Sequence, residues 1–249
     1  MLEPRLVLPD VTLAAGSCWF VATPIGNLGD ITLRALAILA ASDAIYAEDT
    51  RHTRKLLAHF GLSRPLEAYH DHNKDRAVPR ILARLRAGES VAVVSDAGMP
   101  CISDPGFTLV RALREAGLPW HVAPGPSSTL AALVLAGFEP DRFVMAGYPP
   151  RRPGARTRWL QELLDLDCTV ILLESVHRIR STLETLAELA PARELAICRE
   201  ITKLHEETLR GPAETLLESM TGQRLRGELV LLLRGQSKIE RKIEREIGE

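Results

Sequence analysis

Val91-Ala92-Val93-Val94-Ser95 runs straight into Asp96-Ala97-Gly98-Met99-Pro100, and this junction decides how the rest of the chain is read. An almost unbroken β-branched run that stops at a Gly/Pro turn is a strand buried on both faces. Working back toward the N-terminus, Cys18–Thr23 (CWFVAT) repeats the pattern and breaks at Pro24-Ile25-Gly26-Asn27. Leu33, Leu36, Ala37 and Ala40 follow at helical spacing, with Asp30 the expected N-cap. Ala44–Ala47 ends in Glu48-Asp49-Thr50-Arg51-His52 ahead of a helix through Lys55-Leu56-Leu57. Leu66–Tyr69 ends in His70-Asp71-His72-Asn73, and Ala77–Arg86 reads as the next helix. Beyond the deciding junction, Ser103-Asp104-Pro105-Gly106 leads into a helix ending near Ala116. His121–Ala123 then ends in Pro124-Gly125-Pro126-Ser127-Ser128, with Ser127 capping a helix through Ala136. Strands alternating with helices across short connections predict an α/β fold: a parallel sheet with helices on both faces. Ligands in such sheets bind at the carboxyl ends of the strands, where every distinctive turn of this half falls.

The composition shifts at Tyr148–Ala155 (YPPRRPGA), after an expected strand at Arg142–Gly147. Strands at Thr169–Leu173, Glu194–Arg199 and Glu228–Leu233 and a helix at Ser175–Leu189 alternate less cleanly, which predicts a mixed sheet. The expected organisation is an N-terminal extension over 1–17, an α/β domain over 18–123, a second over 124–235, and a charged tail over 236–249. A cleft is expected between the two domains. In the tail, Ile239, Ile243 and Ile247 form a thin helical stripe that is marginal in water unless docked.

With 249 residues, the chain is long enough for two cores. Lys+Arg of 31 against Asp+Glu of 32 leaves a net charge of −1, so any nucleic-acid site must be a local patch. Nearly all the positive charge is arginine, the better reader of phosphate geometry. Cys18, Cys101, Cys168 and Cys198 are widely spaced, with no CxxC or zinc pattern, which favours reduced thiols in a cytoplasmic protein. Glu3, Pro4, Pro9 and Asp10 are incompatible with a standard signal peptide, and no 18-residue apolar run is present.

Neither GxGxxG nor a Walker A loop occurs, so nucleotide hydrolysis has no support. The turns at Pro24–Gly29, Asp96–Pro100 and Pro124–Ser128 nevertheless bring close-approaching backbone to one sheet edge. Any one of them is an ordinary βα turn, whereas the three together favour a nucleotide-like ligand. Glu48-Asp49-Thr50-Arg51-His52-Thr53-Arg54 fits either a substrate-orienting cluster or a helix start whose charges suit the dipole, about evenly. His70-x-His72 lacks a third metal ligand at recognisable spacing, Ser127 lacks the GxSxG frame, and nothing near Cys101 marks a lowered pKa. Glu174-Ser175-Val176-His177-Arg178 and Arg199-Glu200-Ile201-Thr202-Lys203-Leu204-His205-Glu206 each place a carboxylate, a histidine and a base at a strand end. Function outweighs plain surface charge there. Arg151, Arg152, Arg156 and Arg158 form the one dense basic patch, suited to phosphates or to a solvated hinge.

The strings VATPIGNLGDITLRAL, AEDTRHTRKLL, YHDHN, VSDAGMPCISDPG, PGPSS, ESVHR and REITKLHEE, in this order, resemble one bacterial family. It is the small-subunit ribosomal RNA 2′-O-methyltransferases of the tetrapyrrole-methylase superfamily. The resemblance spans residues 18 to 234, with Met99 where threonine is usual and Val176 in place of a proline. It implies two α/β domains with S-adenosylmethionine in the trough between them. It also implies a homodimer, no metal, and methylation of a cytidine of 16S rRNA in the small ribosomal subunit. Carried over by motif, the cofactor would touch Pro24, Ala97, Gly98, Met99, Ser127 and Ser128. RNA phosphates would fall to Arg51, Arg54, Arg151 and Arg152, with His177 and Arg178 beside them. A base or acceptor for the attacking hydroxyl would be Lys203, if burial lowers its pKa, or the Glu48/Asp49 pair. Two other readings stay open: a methylase of a tetrapyrrole or other small molecule, and a non-catalytic rRNA-binding assembly factor.

Overall fold

A computed structural model of the chain describes residues 7–102, 106–221 and 227–236. The expected turn at Ser103-Asp104-Pro105 and the tail beyond Gln236 lie outside them. By its internal contacts the chain divides into two units between Ser127 and Ser128.

In the first unit, β1 (Cys18–Val21), α1 (Leu33–Ala41), β2 (Ala44–Ala47), α2 (Thr50–His59), β3 (Leu66–Ala68), α3 (Lys74–Arg86), β4 (Val91–Val94), α4 (Phe107–Ala116) and β5 (Trp120–Ala123) alternate. The sheet order is β3-β2-β4-β1-β5 and every pairing is parallel. That order fixes where the helices go. Crossovers in parallel sheets are right-handed, so steps outward from β1 to β2 to β3 put their helices on one face. The return steps, β3 to β4 and β4 to β5, put theirs on the other.

The buried side chains sort accordingly. Cys18, Phe20, Ala44, Tyr46, Val91 and Val93 pack with Ile81 and Leu85 of α3 and Leu109 and Leu113 of α4. Val21, Ile45, Ala47, Ala92 and Val94 pack with Leu36 and Leu39 of α1 and Leu56 and Leu57 of α2. The period of 2 along each strand feeds both layers. Leu8, Val11 and Leu13, ahead of β1, pack against the second layer. The Gly16 N–H donates to Gly88 O at 3.1 Å and the Ser90 hydroxyl to Ala14 O at 3.1 Å.

The second unit holds α5 (Ser128–Ala136), β6 (Phe143–Gly147), α6 (Pro153–Leu164), β7 (Thr169–Ser175), α7 (Ile179–Leu189), β8 (Leu195–Arg199), β9 (Glu207–Gly211), α8 (Ala213–Ser219) and β10 (Glu228–Leu233). Its sheet runs β6-β7-β10-β8-β9, with β6 parallel to β7 and the other pairs antiparallel. Val170, Leu172, Leu195, Ile197, Leu229, Leu231 and Leu233 pack under α6, α7 and α8 in one core. On the opposite face, the Cys198 thiol lies 3.6 Å from the Ala132 carbonyl of α5. The Arg210 guanidinium donates to the Leu135 and Ala136 carbonyls at the end of α5, where a helix leaves acceptors unpaired.

Two local expectations need correction. Asp30 closes a single 3-10 turn (Leu28–Asp30), and the cap of α1 is Thr32, whose side chain accepts from the Ala35 N–H at 3.0 Å. The turn inserts itself because the Asn27 side chain accepts from the Gly29 N–H at 3.0 Å and starts a tighter helix first. The helix expected from Ser175 begins at Ile179, because Ser175 still pairs with Glu228 in the sheet.

Thr32→Ala is therefore expected to destabilise the protein by about 1 kcal/mol. Asp30→Ala should leave the urea midpoint essentially unmoved, within about 0.5 kcal/mol. Equal losses in the two variants, measured by urea unfolding, would contradict the assignment of the cap.

Candidate functional site

Because the first sheet is wholly parallel, the carboxyl ends of its strands share one edge. Past β1, Thr23 makes a reciprocal pair of backbone hydrogen bonds with Gly98, at 2.9 and 3.0 Å. The Thr23 hydroxyl donates to Ser95 O at 3.1 Å. Gly98 has φ +76°, a conformation that glycine adopts without strain. The third turn closes on the first: the Ala22 N–H donates to Ala123 O at 3.1 Å, and a Cβ on Gly125 would stand 2.9 Å from the Ala22 Cβ. Buried Pro24 and Gly98, exposed Ala97 and half-buried Met99 thus meet the turn leading to half-buried Ser127. A Cβ on Gly98 would be 3.5 Å from Pro126 O. Ser128 opens α5 in the second unit.

The next turn along the edge carries Glu48 and Asp49. The Asp49 N–H donates to the Asp96 carboxylate at 2.9 Å, joining the β2 and β4 turns. The Asp49 side chain caps α2, accepting from the Arg51 N–H at 2.8 Å. The Arg51 guanidinium grips the same carboxylate at 3.2 and 2.8 Å. Hydrogen bonds from the Arg51 side chain and backbone hold Asp49 well below the usual carboxylate range. Glu48 shifts the other way, raised by burial and then by the nearby Asp96 charge. Adjacent carboxylates pushed apart in this way take different chemical roles, Glu48 being the better proton acceptor. Arg54 is exposed on α2.

In the second unit, three motifs share one sheet edge. Tyr148–Arg152 leaves β6, Glu174–Arg178 leaves β7 and Glu200–Glu206 leaves β8, while β10 enters between the latter two. Glu228 lies opposite Ser175, and the Glu200 N–H donates to Glu228 O at 3.0 Å. Lys203 Nζ donates to Glu200 at 2.9 Å and Glu228 at 3.2 Å. Partial burial works to lower the Lys203 pKa, but the hydrogen bonds and charges of the two carboxylates outweigh it and raise the pKa. The condition for Lys203 to act as a base fails, and it stays an ammonium at neutral pH. Glu200 and Thr202 have φ of +50° and +67°, so this turn holds two residues in left-handed backbone. The Thr202 N–H donates to Glu206 at 2.6 Å.

His177, Arg151 and Arg152 are exposed, whereas the Arg178 guanidinium faces inward to the Pro149 and Pro150 carbonyls. The basic patch is smaller than expected. Arg156 is buried and donates to the Ser181 hydroxyl at 3.1 Å. Arg51 is exposed yet already paired. The residues missing from the sequence reading are the partners. Glu200 lies three positions before Lys203 and was visible in principle. Asp96 as the acceptor for Asp49 and Glu228 as the second ligand of Lys203 are distant in sequence and carry no local signal.

The family model of the Tetrapyrrole (Corrin/Porphyrin) Methylases matches residues 17–217. A protein of Xylella fastidiosa named ribosomal RNA small subunit methyltransferase I is 47% identical, over 88% of this chain and 82% of its own. A Synechocystis protein of the same name is 44% identical, over 91% and 81%. Among solved structures, the uroporphyrin-III-C-methyltransferase of Thermus thermophilus superposes with a TM-score of 0.63, covering 88% of this chain and 94% of that one. At 24% identity, that likeness concerns the fold alone.

The Lys203 cluster has a pH signature. Lys203→Gln leaves Glu200 facing Glu228 without a cation, with an expected loss of about 1 kcal/mol or less per pair, since the group is partly exposed. Glu200 has a lowered folded pKa, so the stability it contributes in the wild type is present above its ordinary value near about 4.3. That stability is lost as pH falls through the lowered value. The difference between wild type and variant should therefore shrink below about pH 4 in thermal melts. A difference that grows in acid would contradict the assignment.

Proposed function

The chain belongs to the tetrapyrrole methylase family and to its ribosomal RNA small subunit methyltransferase I branch, and on that premise we propose that it methylates 16S rRNA. The methyl group of S-adenosylmethionine goes to the ribose 2′-oxygen of a cytidine, cytidine-1402, in the small ribosomal subunit. The observation that carries this reading is the 47% identity to a relative of that name over most of both chains. We read the chain as a cytoplasmic enzyme that works on a ribosomal particle. We read the assembly as a homodimer, and exposed apolar side chains such as Phe107 and Val134 are surface that a second copy would cover. Among the described residues, no helix is long and apolar enough to cross a membrane.

The first-unit edge fits the cofactor. Bonded turns built on Gly98 and Gly125 bring backbone, the apolar Pro24 and Met99, and the Ser127 hydroxyl to one place. That mix suits a ligand with both apolar and hydrogen-bonding parts. Pro24, Ala97, Gly98, Met99 and Ser127 would hold it. When bound, it supplies a methyl group on a sulfonium, an electrophile that carries its own leaving group and requires no metal. The protein must hold the attacking oxygen in line, exclude water and take the hydroxyl proton. Glu48 takes that proton at its carboxylate, because burial and Asp96 raise its basicity. Asp49 does not compete, its oxygens being held by Arg51. Lys203 serves as a fixed positive charge. Arg54, Arg151 and Arg152 meet RNA phosphates, and His177 is exposed on the turn after β7.

Labelled methyl transfer to small subunits from cells lacking this protein, with the modified nucleotide mapped, tests the reading. Label on one cytidine ribose is the expected result. Label only on a small precursor would move the acceptor to a tetrapyrrole or similar molecule. Failure to bind S-adenosylmethionine would leave an assembly factor.

Glu48→Gln should lower the methylation rate roughly 100-fold or more, the low end of general-base contributions. It should also remove the acid limb of the pH–rate profile. In the wild type that limb lies above the ordinary carboxylate range, since the raised Glu48 must lose its proton to work. An unchanged profile in the variant would assign the proton elsewhere.

A further inference from the structure

We propose that Arg178 and Glu174 are positioning residues: they lock the Pro149–Pro150 segment so that Arg151 and Arg152, not Arg178, take RNA phosphates. The inference rests on the RNA reading above and assigns the labour within that site.

The argument starts from two prolines. Pro149 and Pro150 have no N–H to give to a sheet ladder, yet each keeps a carbonyl that needs a donor. They follow β6, which ends at Gly147, after the single residue Tyr148. Pro149 is buried, so water does not satisfy it freely. The Arg178 Nη2 group meets this need, donating to Pro149 O and, at 3.2 Å, to Pro150 O. The planar guanidinium reaches both carbonyls with Nη2 while its Nε is left to face another partner, which a point charge cannot do.

The guanidinium is held in turn from behind. Its Nε lies 3.7 Å from the Glu174 carboxylate, whose side chain is 0% exposed. Glu174 accepts from the Ser175 N–H at 2.8 Å and from the Thr182 hydroxyl at 2.7 Å. A carboxylate buried this deeply is costly without a cation, and Arg178 is the cation the structure places beside it. The Arg178 backbone is tied as well: its carbonyl accepts from the Ser181 hydroxyl at 2.8 Å, and Ser181 accepts from buried Arg156 of α6. With only 26% of its side chain exposed, Arg178 has these donors turned into the protein.

The next two residues are held at both ends. Pro150 is fixed by Arg178. The Arg152 carbonyl accepts the first bond of α6 from the Arg156 N–H at 2.9 Å. Between these fixed points, Arg151 and Arg152 project exposed side chains from a backbone with little freedom left. A pre-set pair of arginines loses less conformational entropy on gripping phosphates than a loose one does.

The test measures binding of the full-length protein to unmethylated small subunits as a function of salt. Each phosphate contact contributes about 0.7 to 0.9 to the slope of log affinity against log salt. R151A/R152A should reduce the slope by about 1.5. Glu174→Gln truncates no exposed side chain and frees Arg178 from its carboxylate, so a direct phosphate contact by Arg178 predicts an unchanged or steeper slope. Positioning predicts a reduction on the order of 1, together with a raised KM for the subunit and a kcat within about twofold of wild type. R178K keeps the charge but cannot face Glu174 and the two carbonyls at once, as Nε and Nη2 of the guanidinium do, and it should follow E174Q. Neither variant should reduce the slope further in the R151A/R152A background. Thermal melts and S-adenosylmethionine titration identify a variant that has merely failed to fold.

A wild-type or steeper slope in E174Q, or an additional loss from R178K in the R151A/R152A background, would overturn the proposal while methylation of the subunit by wild type still stood. Absence of that methylation in wild type would remove the RNA reading, and this inference with it.

Discussion

The reciprocal hydrogen bonds between Thr23 and Gly98 are the constraint on which the first unit's site depends. β1 and β4 are neighbours in the sheet although α1, β2, α2, β3 and α3 separate them in the chain. The chain runs outward from β1 and returns to β4 beside it, and right-handed crossovers put the helices of the two directions on opposite faces. The turns after β1 and β4 therefore emerge side by side, free of helices on either side. Two backbone bonds join them there, and Gly98 accepts the left-handed conformation the joint requires. From that joint the Asp96 carboxylate reaches the next turn and fixes Asp49, and with it the start of α2.

The second unit solves the same problem with charge. Its sheet is mixed, so a single topological switch does not gather its loops. The antiparallel entry of β10 between β7 and β8 brings Glu228 beside Glu200 and Ser175 instead. Lys203 then binds two carboxylates from segments far apart in the chain, and Arg178 binds a buried carboxylate and two carbonyls. These contacts contribute only modestly to stability. Their effect is geometric, since each removes the freedom of a turn that no glycine-rich joint holds.

Much of this was legible in the residues. Val91–Val94, with apolar side chains on both faces, could only be a central strand, and the Gly/Pro turns after it and after β1 marked the edge where the motifs gather. The α1 cap was misread because Asp30 and Thr32 are both good caps, and the choice fell to the Asn27 side chain starting a 3-10 turn. Short, polar β9 (Glu207–Gly211), at the sheet edge, carried no apolar alternation to announce it. The charge state of Lys203 was hidden for a different reason. Burial alone argues for a lowered pKa, but Glu200 and Glu228 decide the sign, and Glu228 arrives through sheet pairing that no local pattern encodes.

That reversal bears on how a protein of net charge −1 can act on RNA. Counted by sequence, the cations near the motifs are numerous, but the structure commits several of them internally. Arg51 holds Asp49, Arg156 is buried against α7, Arg178 faces two prolines and Lys203 sits between two glutamates. Among the described residues of these motifs, Arg54, Arg151, Arg152 and Arg158 stay exposed, a smaller set than the sequence count. A small set of phosphate contacts gives weak non-specific attraction, because that attraction scales with the number of charges neutralised. Recognition must then come from geometry, which rewards an acceptor presenting its phosphates at fixed spacing. A folded ribosomal particle offers such a surface, whereas a flexible single strand would have to be ordered first. On the proposed RNA reading, the internal ion pairs would cost raw affinity and favour discrimination, since arginines held in place would fit one RNA shape better than others.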